Sequence, residues 1–355
     1  MSKRSGERRQ FARLGCCWLL LAGFSPLGSA DRLHYQPPGF DEEMSQPAPA
    51  RPVARPAPRP RAADWRLSID IGVLADSNVT NSTDKKSIDT FQGNAVLPVP
   101  LDPSLRARAD IGTAVAASAG VEMPIGGKAW LAAEAEGYAI DYGGDANDDI
   151  ALLAGAGPLL RWDTGEAAVQ LLAFERWYGG ISAQSGWGVR GRYEEQLAPS
   201  GRITLAVDAR IFESGYGEAF AGGQAGAYLS YVSVLDPLTT ASVGLFARRD
   251  WLEEDSYSGL ELGAYGGISR YLGTALSGSL SGSVSRLVFD APVFFLSPDP
   301  REDWRFHASA ALTTRRPVAW GVHPSLSYSY SRTRSSTTFF DAARHRVRLG
   351  LSRKF

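Results

Sequence analysis

The feature that most constrains the fold of this chain is an alternation of apolar and polar residues from Trp65 to the C-terminus. In 65–73, the odd positions carry Trp, Leu, Ile, Ile and Val, whereas the even ones include Arg, Ser and Asp. In 274–288, serine occupies every odd position from 277 to 285, and leucine or valine stands at 276, 280 and 284. Side chains two residues apart share one face of a strand but not of a helix. The region is therefore predicted to be all-β.

Turn signals divide this region into about fourteen strands of roughly ten to fifteen residues. The strands are predicted to start near Trp65, Ala109, Lys128, Asp149, Ala167, Trp187, Gly201, Gln224, Thr239, Leu260, Thr274, Trp304, Ala319 and His345. Tight turns are predicted at 126–127, 164–165, 199–200, 236–237, 272–273 and 316–317. Longer connections are predicted at 76–108, 144–148, 177–186, 213–223, 250–259, 289–303 and 332–344. An even strand number with short turns on one side and long loops on the other is typical of an outer-membrane β-barrel.

The last strand supports a closed barrel. Val347, Leu349, Leu351 and Phe355 lie on one face of an extended chain, and this strand would pair with the first and hide both edges. A soluble sandwich would also alternate, but it would gain nothing from stripes of serine. The prediction is an all-β, transmembrane antiparallel β-barrel. Because outer-membrane assembly machinery reads a terminal aromatic residue, Phe355, Leu351 and Leu349 are the candidate assembly signal.

Two local features refine this prediction. Most tryptophans fall near predicted strand ends, as expected for residues at the two membrane interfaces; they are Trp65, Trp162, Trp177, Trp187, Trp251, Trp304 and Trp320. The segment 149–162 has no clear polar face, and Pro158 in its middle should interrupt a hydrogen-bond ladder or mark a bulge. A bent strand is expected there.

The first thirty residues read as a secretory signal peptide. A basic leader precedes an apolar run from Leu14 to Phe24, which is too short to span a bilayer as a helix, and cleavage is expected after Ala30. Both cysteines, Cys16 and Cys17, would leave with this peptide, so no disulfide or thiol site is expected. Five basic residues and one acidic residue would leave too, which changes the net charge from -1 to about -5. A mildly acidic protein argues against nucleic acid as a partner.

Residues 31–63 are rich in proline, alanine and arginine and form a predicted arm. Such a composition favours an extended, polyproline-like or disordered segment. The arm is interpreted as a spacer, a docking segment for a periplasmic partner or a segment that enters the barrel. The predicted barrel occupies 64–355.

No catalytic, cofactor or metal site is predicted. His323 and Ser325 would be the two members of a Ser–His pair, but both face the polar side of their strand and no orienting carboxylate or amide matches them. A calcium loop would begin at Asp145, but its sixth position is Ile150 instead of glycine. The chain is therefore not expected to be an enzyme.

Several short motifs resemble those of the surface lipoprotein assembly modifier (Slam) family. The first strand is followed by Asp76-Ser77-Asn78-Val79, and an Arg-x-Asp motif stands at 301–303. A tyrosine-rich strand, a polar turn and a final strand ending in an aromatic residue complete the pattern; the matching residues are Pro324, Tyr328, Tyr330, Arg332, Ser335, Arg344 and Phe355. The resemblance covers most of 65–355.

The resemblance implies an outer-membrane barrel that assists translocation or surface display of lipoproteins or related exported proteins. Family members usually carry a helical repeat domain before the barrel, whereas 31–63 has no helical period. The implied partners are membrane lipid, the barrel assembly machinery, an exported lipoprotein client and a separate periplasmic partner. The expected location is the outer membrane of a Gram-negative bacterium, with both termini periplasmic.

The alternative is a passive, porin-like channel for small solutes. A barrel of about fourteen strands lies between small filled barrels and open porins. Its interior would be lined by serines and by charged candidates, namely Asp70, Asp208, Arg210, Arg346 and Arg348. These residues would either filter solutes or form salt bridges across a plugged lumen.

Overall fold

The computed structural model describes residues 63–92, 95–144 and 147–355, so the predicted signal peptide and nearly all of the predicted arm lie outside the described residues. The described chain forms a closed antiparallel barrel, which confirms the predicted fold class. Its fourteen strands are β1 (Asp64–Asp76), β4 (Asp110–Gly126), β5 (Ala129–Asp141), β6 (Asp149–Arg161), β7 (Gly165–Tyr178), β8 (Ile181–Ala198), β9 (Gly201–Glu213), β10 (Gly222–Asp236), β11 (Thr239–Leu252), β12 (Gly259–Leu272), β13 (Leu276–Phe289), β14 (Glu302–Thr314), β15 (His323–Ser335) and β16 (Ala342–Lys354). A separate two-stranded hairpin consists of β2 (Ser87–Gln92) and β3 (Ala95–Pro100).

The barrel closes where β1 pairs with β16. The seam has nine register pairs, from Ser68 with Lys354 to Asp76 with Arg346, against thirteen between β1 and β4. One further backbone hydrogen bond joins Phe355 N to Leu67 O at 2.9 Å. Closure leaves no unpaired sheet edge, the condition for a sheet that spans a membrane.

The two ends of the barrel differ, and we name them by their connections. The loop end carries 77–109, 142–148, 179–180, 214–221, 253–258, 290–301 and 336–341. The turn end carries 127–128, 162–164, 199–200, 237–238, 273–275 and 315–322. Because β1 starts at the turn end and β16 finishes there, both ends of the barrel domain lie at the turn end.

Two connections differ from the sequence-based prediction. The long connection expected at 177–186 is a two-residue turn, because Gly179 and Gly180 adopt positive φ angles of 57° and 75° and let β8 begin at once. Trp187 therefore lies inside β8 instead of at its end. The tight turn expected at 316–317 is the eight-residue segment 315–322, which includes the 3-10 turn Ala319–Gly321.

The hairpin β2–β3 was missed in the sequence, where 76–108 was interpreted as one loop. It folds over the loop end, and Phe91 N donates a hydrogen bond to Phe295 O at 2.9 Å. Short 3-10 turns at Pro103–Leu105, Glu218–Phe220 and Thr338–Phe340 complete the loop end. Within the described residues, no helix is long and apolar enough to cross a membrane.

The alternation in sequence separates the two barrel faces. Outward positions are apolar and exposed to the surroundings, as in Leu349 at 62% and Leu351 at 54%. Pro158 faces outward; β6 pairs with β7 up to Ala156 and again from Leu159 in the same register. Proline therefore interrupts this ladder, as expected, and no bulge accompanies it.

Candidate functional site: the barrel lumen

The structure places all five charged candidates on the inner face of the barrel. Asp208 and Arg210 on β9 form an ion pair with 3.2 Å between Oδ2 and Nε, and both side chains are buried. Arg348 on β16 pairs with Asp70 on β1 across the seam. Arg346 lies on the same face and contacts Asp76, which was not among the candidates. These side chains are thus ion-paired inside the lumen.

Asp76 is the centre of what we call the seam cluster, with Tyr142, Arg344 and Arg346. Its side chain is fully buried and lies 2.5 Å from Arg344 Nη2 and 2.9 Å from Arg346 Nε. The Tyr142 hydroxyl donates to Asp76 Oδ2 at 2.8 Å. Burial raises the pKa of Tyr142, which keeps this donor protonated. One carboxylate therefore holds β1, β16 and the 142–148 loop together at the loop end.

The motif that suggested a family also builds the turn after β1. The Asn78 side-chain amide donates to Ser82 O at 2.8 Å and to Ala343 O at 2.9 Å. The backbone N–H of Asn78 in turn donates to Asp76 Oδ1 at 2.9 Å. Val79 is fully buried against Leu74 and Tyr142. The motif residues 76–79 and Arg344 are therefore one structural unit, although 265 or more positions separate the two parts.

A second group of charges, the upper network, spans β11 to β14 beneath the loop end. Its six members are Arg248, Asp250, Glu261, Arg301, Asp303 and Arg305. Arg248 Nη2 lies 2.5 Å from Glu261 Oε2, and Arg305 Nη1 lies 3.5 Å from the same oxygen. Asp303, which is fully buried, lies 3.3 Å from Arg301. Buried charges at this density are stable only when paired, so the network is a fixed part of the lumen wall.

Arg301 connects this network to the loops above it. Its guanidinium carbon lies 3.8 Å from the ring centre of Phe289 and 3.6 Å from that of Phe340. Such stacking of a guanidinium between two aromatic rings is favourable where water is excluded. The Arg-x-Asp motif therefore joins the charged upper network to the aromatic rings that lie above it at the loop end.

An apolar layer, which we call the cap, consists of loop residues packed over the loop end. One cluster joins the hairpin segment to the 290–301 and 336–341 loops through Ile88, Leu101, Val293, Leu296, Phe339 and Phe340. A second contains Ala183 and Phe220, and Tyr257 packs against both clusters. The Phe220 and Tyr257 ring centres are 4.6 Å apart. Loops from both halves of the barrel therefore meet in the cap.

An apolar cluster lies on the inner face of β6, β7 and β9, next to the buried charges of these strands. Leu153, Phe174 and Phe212 are buried against one another on the inner face, and Arg210 lies over the Phe174 ring at 5.6 Å. This packing explains why segment 149–162 lacks a polar face: its inner side packs against aromatic rings and its outer side faces lipid.

The opposite wall is lined by small polar side chains. The inner face of β13 carries serine at 277, 279, 281, 283 and 285, and β15 carries serine at 325, 327, 329 and 331. Ser281 and Ser309 share a hydroxyl hydrogen bond of 2.6 Å. The inner face of the barrel thus carries large side chains on one side and small ones on the other.

The structure offers no support for the two chemical sites weighed from the sequence. His323 Nδ1 lies 2.8 Å from the carbonyl oxygen of Thr314. Asp149 forms an ion pair with Arg176 at 2.8 Å, and Asp145 lies outside the described residues. Among described residues, no three His, Cys, Asp or Glu side chains are grouped as metal ligands.

Several arginines near the turn end are more exposed than those of the upper network. Arg66 pairs with Glu122 at 2.5 Å but is 63% exposed, and Arg192 is 42% exposed. Arg190 Nη1 reaches Glu134 Oε1 at 3.2 Å, a contact between strands that are not neighbours in the sheet. Several lumen charges are therefore accessible to water towards the turn end, whereas the side chains of the upper network are buried.

The residues of the candidate assembly signal lie on the outer face. Phe355 is 60% exposed, and Arg353 lies over its ring at 4.4 Å. Deleting Phe355 is expected to lower the amount of folded barrel in the outer membrane several-fold, because the terminal aromatic would be absent during assembly. Refolding of the purified chain into lipid should be unchanged. Heat-modifiable migration on gels measures both quantities, and Phe355→Tyr is the control that keeps an aromatic ring. An equal loss in purified refolding would contradict a signalling role.

The chain is similar to one protein family and to a number of solved structures. A model of the surface lipoprotein assembly modifier family matches residues 65–355. Solved structures with similar overall shape include the toluene transporter TodX of Pseudomonas putida, at 10% identity over 84% of this chain and 91% of that chain with a TM-score of 0.42. The outer membrane channel DcaP of Acinetobacter baumannii has 10% identity over 84% and 99% with a TM-score of 0.44. A Pseudomonas aeruginosa FadL homologue has 8% identity over 88% and 97% with a TM-score of 0.45.

At these scores the solved structures carry no functional inference, and no curated protein matches the sequence. The family model is different, because it covers the whole barrel and all the motif residues described above. The chain belongs to the surface lipoprotein assembly modifier family.

Proposed function

We propose that this outer-membrane barrel assists the translocation or surface display of lipoproteins or related exported proteins, without catalysing a covalent reaction. Membership of the family supports this role. The observation that carries it is the asymmetry of the lumen, which is accessible at the turn end and covered by the cap and the upper network at the loop end.

This asymmetry fits a gated passage better than a permanent pore. Asp303 is fully buried and Arg301 nearly so, which means that bulk water does not reach these two side chains. A protein that passes folded or acylated clients must open a wide path and must close it afterwards. A cap of loops over paired charges supplies a closed resting state, and opening then requires a client or partner.

The proposed orientation places the turn end and both termini in the periplasm. Short periplasmic turns and longer extracellular loops are the rule for bacterial outer-membrane barrels. With this orientation the accessible part of the lumen faces the side from which clients arrive. Residues 31–63 would then extend into the periplasm, where we propose that they contact a separate partner that delivers the client.

A passive channel for small solutes is the second candidate. The specific observation in its favour is the serine-lined wall of β13 and β15, which resembles the polar lining of a water-filled pore. The cap argues against it, because a passive channel conducts without a partner.

Two measurements test the proposal. The first is surface biotinylation of intact cells with and without the gene, followed by quantification of every outer-membrane lipoprotein. We expect a subset of lipoproteins to lose surface exposure while keeping the same total amount, and the full chain to restore it. Unchanged exposure of all lipoproteins would overturn the proposal.

The second measurement is single-channel conductance of the purified full chain in a planar bilayer. We expect a closed baseline with at most brief openings. A steady current of porin size would contradict gated export and favour the passive channel.

A further inference from the structure

The outer face of the barrel has a groove across β12, β13, β14 and β15, close to the turn end. The cavity measures about 450 Å³, within the range of small-molecule sites. Its apolar walls are Ile268, Leu272, Leu280, Leu312, Leu326 and Tyr328. The side chains in its floor are small: Gly278 lies between Leu276 and Leu280 on β13, and Ala310 pairs with Leu280 across the strands.

Gly278 lies in the floor of the groove, beneath Leu272 and Leu312. A Cβ atom at this position would lie 3.1 Å from Leu272 Cδ1 and 3.4 Å from Leu312 Cδ2. The two leucines therefore lie close over Gly278, which has no side chain to keep them apart. The groove runs along the lipid-facing surface, where hydrocarbon is the surrounding solvent.

One end of the groove carries an arginine, which is ion-paired with Asp236. Arg270 lines the groove near the end of β12, and its side chain is 54% exposed. Among described side chains, its contacts to Thr239 Oγ1 at 2.7 Å and Asp236 Oδ2 at 3.4 Å both use Nη1. A guanidinium carries five N–H donors, so Nε and Nη2 can donate to a further oxygen acceptor. A cation on the lipid face is tolerated near the interface, where phosphates lie.

We propose that this groove is a binding site for one phospholipid, with an acyl chain along its apolar walls and the phosphate at Arg270. The occupant must be apolar along most of its length and anionic at one end. A phospholipid has both properties, and its phosphate would lie at the end of the groove that holds Arg270. With the proposed orientation, this lipid belongs to the periplasmic leaflet; the binding site itself does not depend on that orientation or on the export function.

The test is native mass spectrometry of the full chain, delipidated in detergent and titrated with phosphatidylglycerol or with diacylglycerol of the same chains. Ala310→Leu fills the groove, and Arg270→Gln removes the cation. Ala154→Leu on β6 is the matched control, since Ala154 is also an outward, exposed alanine but lies on the opposite wall. Heat-modifiable migration verifies that each variant is folded.

We expect the wild-type chain and Ala154→Leu to retain one phosphatidylglycerol that survives collisional activation. Ala310→Leu should lower its occupancy about tenfold, and Arg270→Gln should remove the preference for phosphatidylglycerol over diacylglycerol. Equal retention by Ala310→Leu and Ala154→Leu would show only non-specific annular lipid and overturn the site. Because Arg270 is exposed, its variant still tests the headgroup contact if Ala310→Leu fails to fold; an unchanged preference would overturn that contact.

Discussion

Replacing Asp76 with alanine is expected to destabilise the barrel more than any other single substitution considered for this chain. Its carboxylate has no exposed surface and contacts Arg344, Arg346 and Tyr142. Removing one partner of a buried ion pair leaves the other charges desolvated and unpaired, which typically costs about 3–5 kcal/mol. Here the guanidinium groups of Arg344 and Arg346 would lose the same partner. The loss would occur at the loop end of the β1–β16 seam, which has the fewest register pairs in the described barrel.

The measurement is urea unfolding of the refolded protein in lipid vesicles, followed by tryptophan fluorescence. The control is Glu302→Ala, which removes the partner of Arg286 in a bidentate pair of 2.7 Å that is exposed on the barrel surface. Exposed ion pairs contribute little, so this control should change the midpoint only slightly. A midpoint for Asp76→Ala that matches the control would contradict the role given to the seam cluster.

Asp76→Asn separates charge from shape at this position. The amide keeps the volume, and its single carbonyl oxygen can accept hydrogen bonds, but it carries no charge to balance two guanidinium groups. We expect a midpoint between those of the wild type and Asp76→Ala. If Asp76→Asn equals the wild type, the contribution of Asp76 is packing and hydrogen bonding instead of charge.

The sequence predicts the barrel well because one physical rule governs most of it. Each strand must present apolar side chains to lipid and smaller or polar ones to the lumen, so the faces of β1, β13 and β16 follow from period two alone. Strand ends depend on local turn chemistry, which is less uniform. Gly179-Gly180 was interpreted as part of the long connection 177–186, whereas in the structure β8 begins directly after it at Ile181.

The lumen contacts were harder to predict because they join positions that are remote in sequence. Asp76 and Arg344 are 268 residues apart, and nothing in the local pattern around either indicates the other. The only sequence signal was that both belong to the motifs that resemble the family. The hairpin and the cap left a weaker signal still, since Ile88 and Leu101 are ordinary apolar residues within a long polar connection.

Removing the β2–β3 hairpin is the prediction with the second largest expected effect. Leu101 N donates to Lys86 O at 2.8 Å, so the two ends of the hairpin are adjacent and 87–100 can be replaced by two glycines. The deletion removes Ile88 and the contact of Phe91 with the backbone of Phe295. The remaining apolar side chains of the cap would then lose the packing that the hairpin provides. We expect this loss to open the loop end.

The expected result is a steady or frequently open current in planar bilayers, where the full chain stays closed, and faster entry of bulky antibiotics into cells. The control is the double variant Val96→Ser and Leu97→Ser, because both side chains are about half exposed on the hairpin and do not belong to the cap. The control should remain closed.

A closed deletion variant would show that the cap is not the barrier. The upper network would then be sufficient on its own, since Arg301, Asp303 and Glu261 lie deeper than the hairpin and do not need it for their ion pairs. In that case Phe340→Ala, which frees one side of the Arg301 guanidinium, becomes the variant expected to open the lumen. The two variants together therefore locate the barrier in either the apolar layer or the charged layer beneath it.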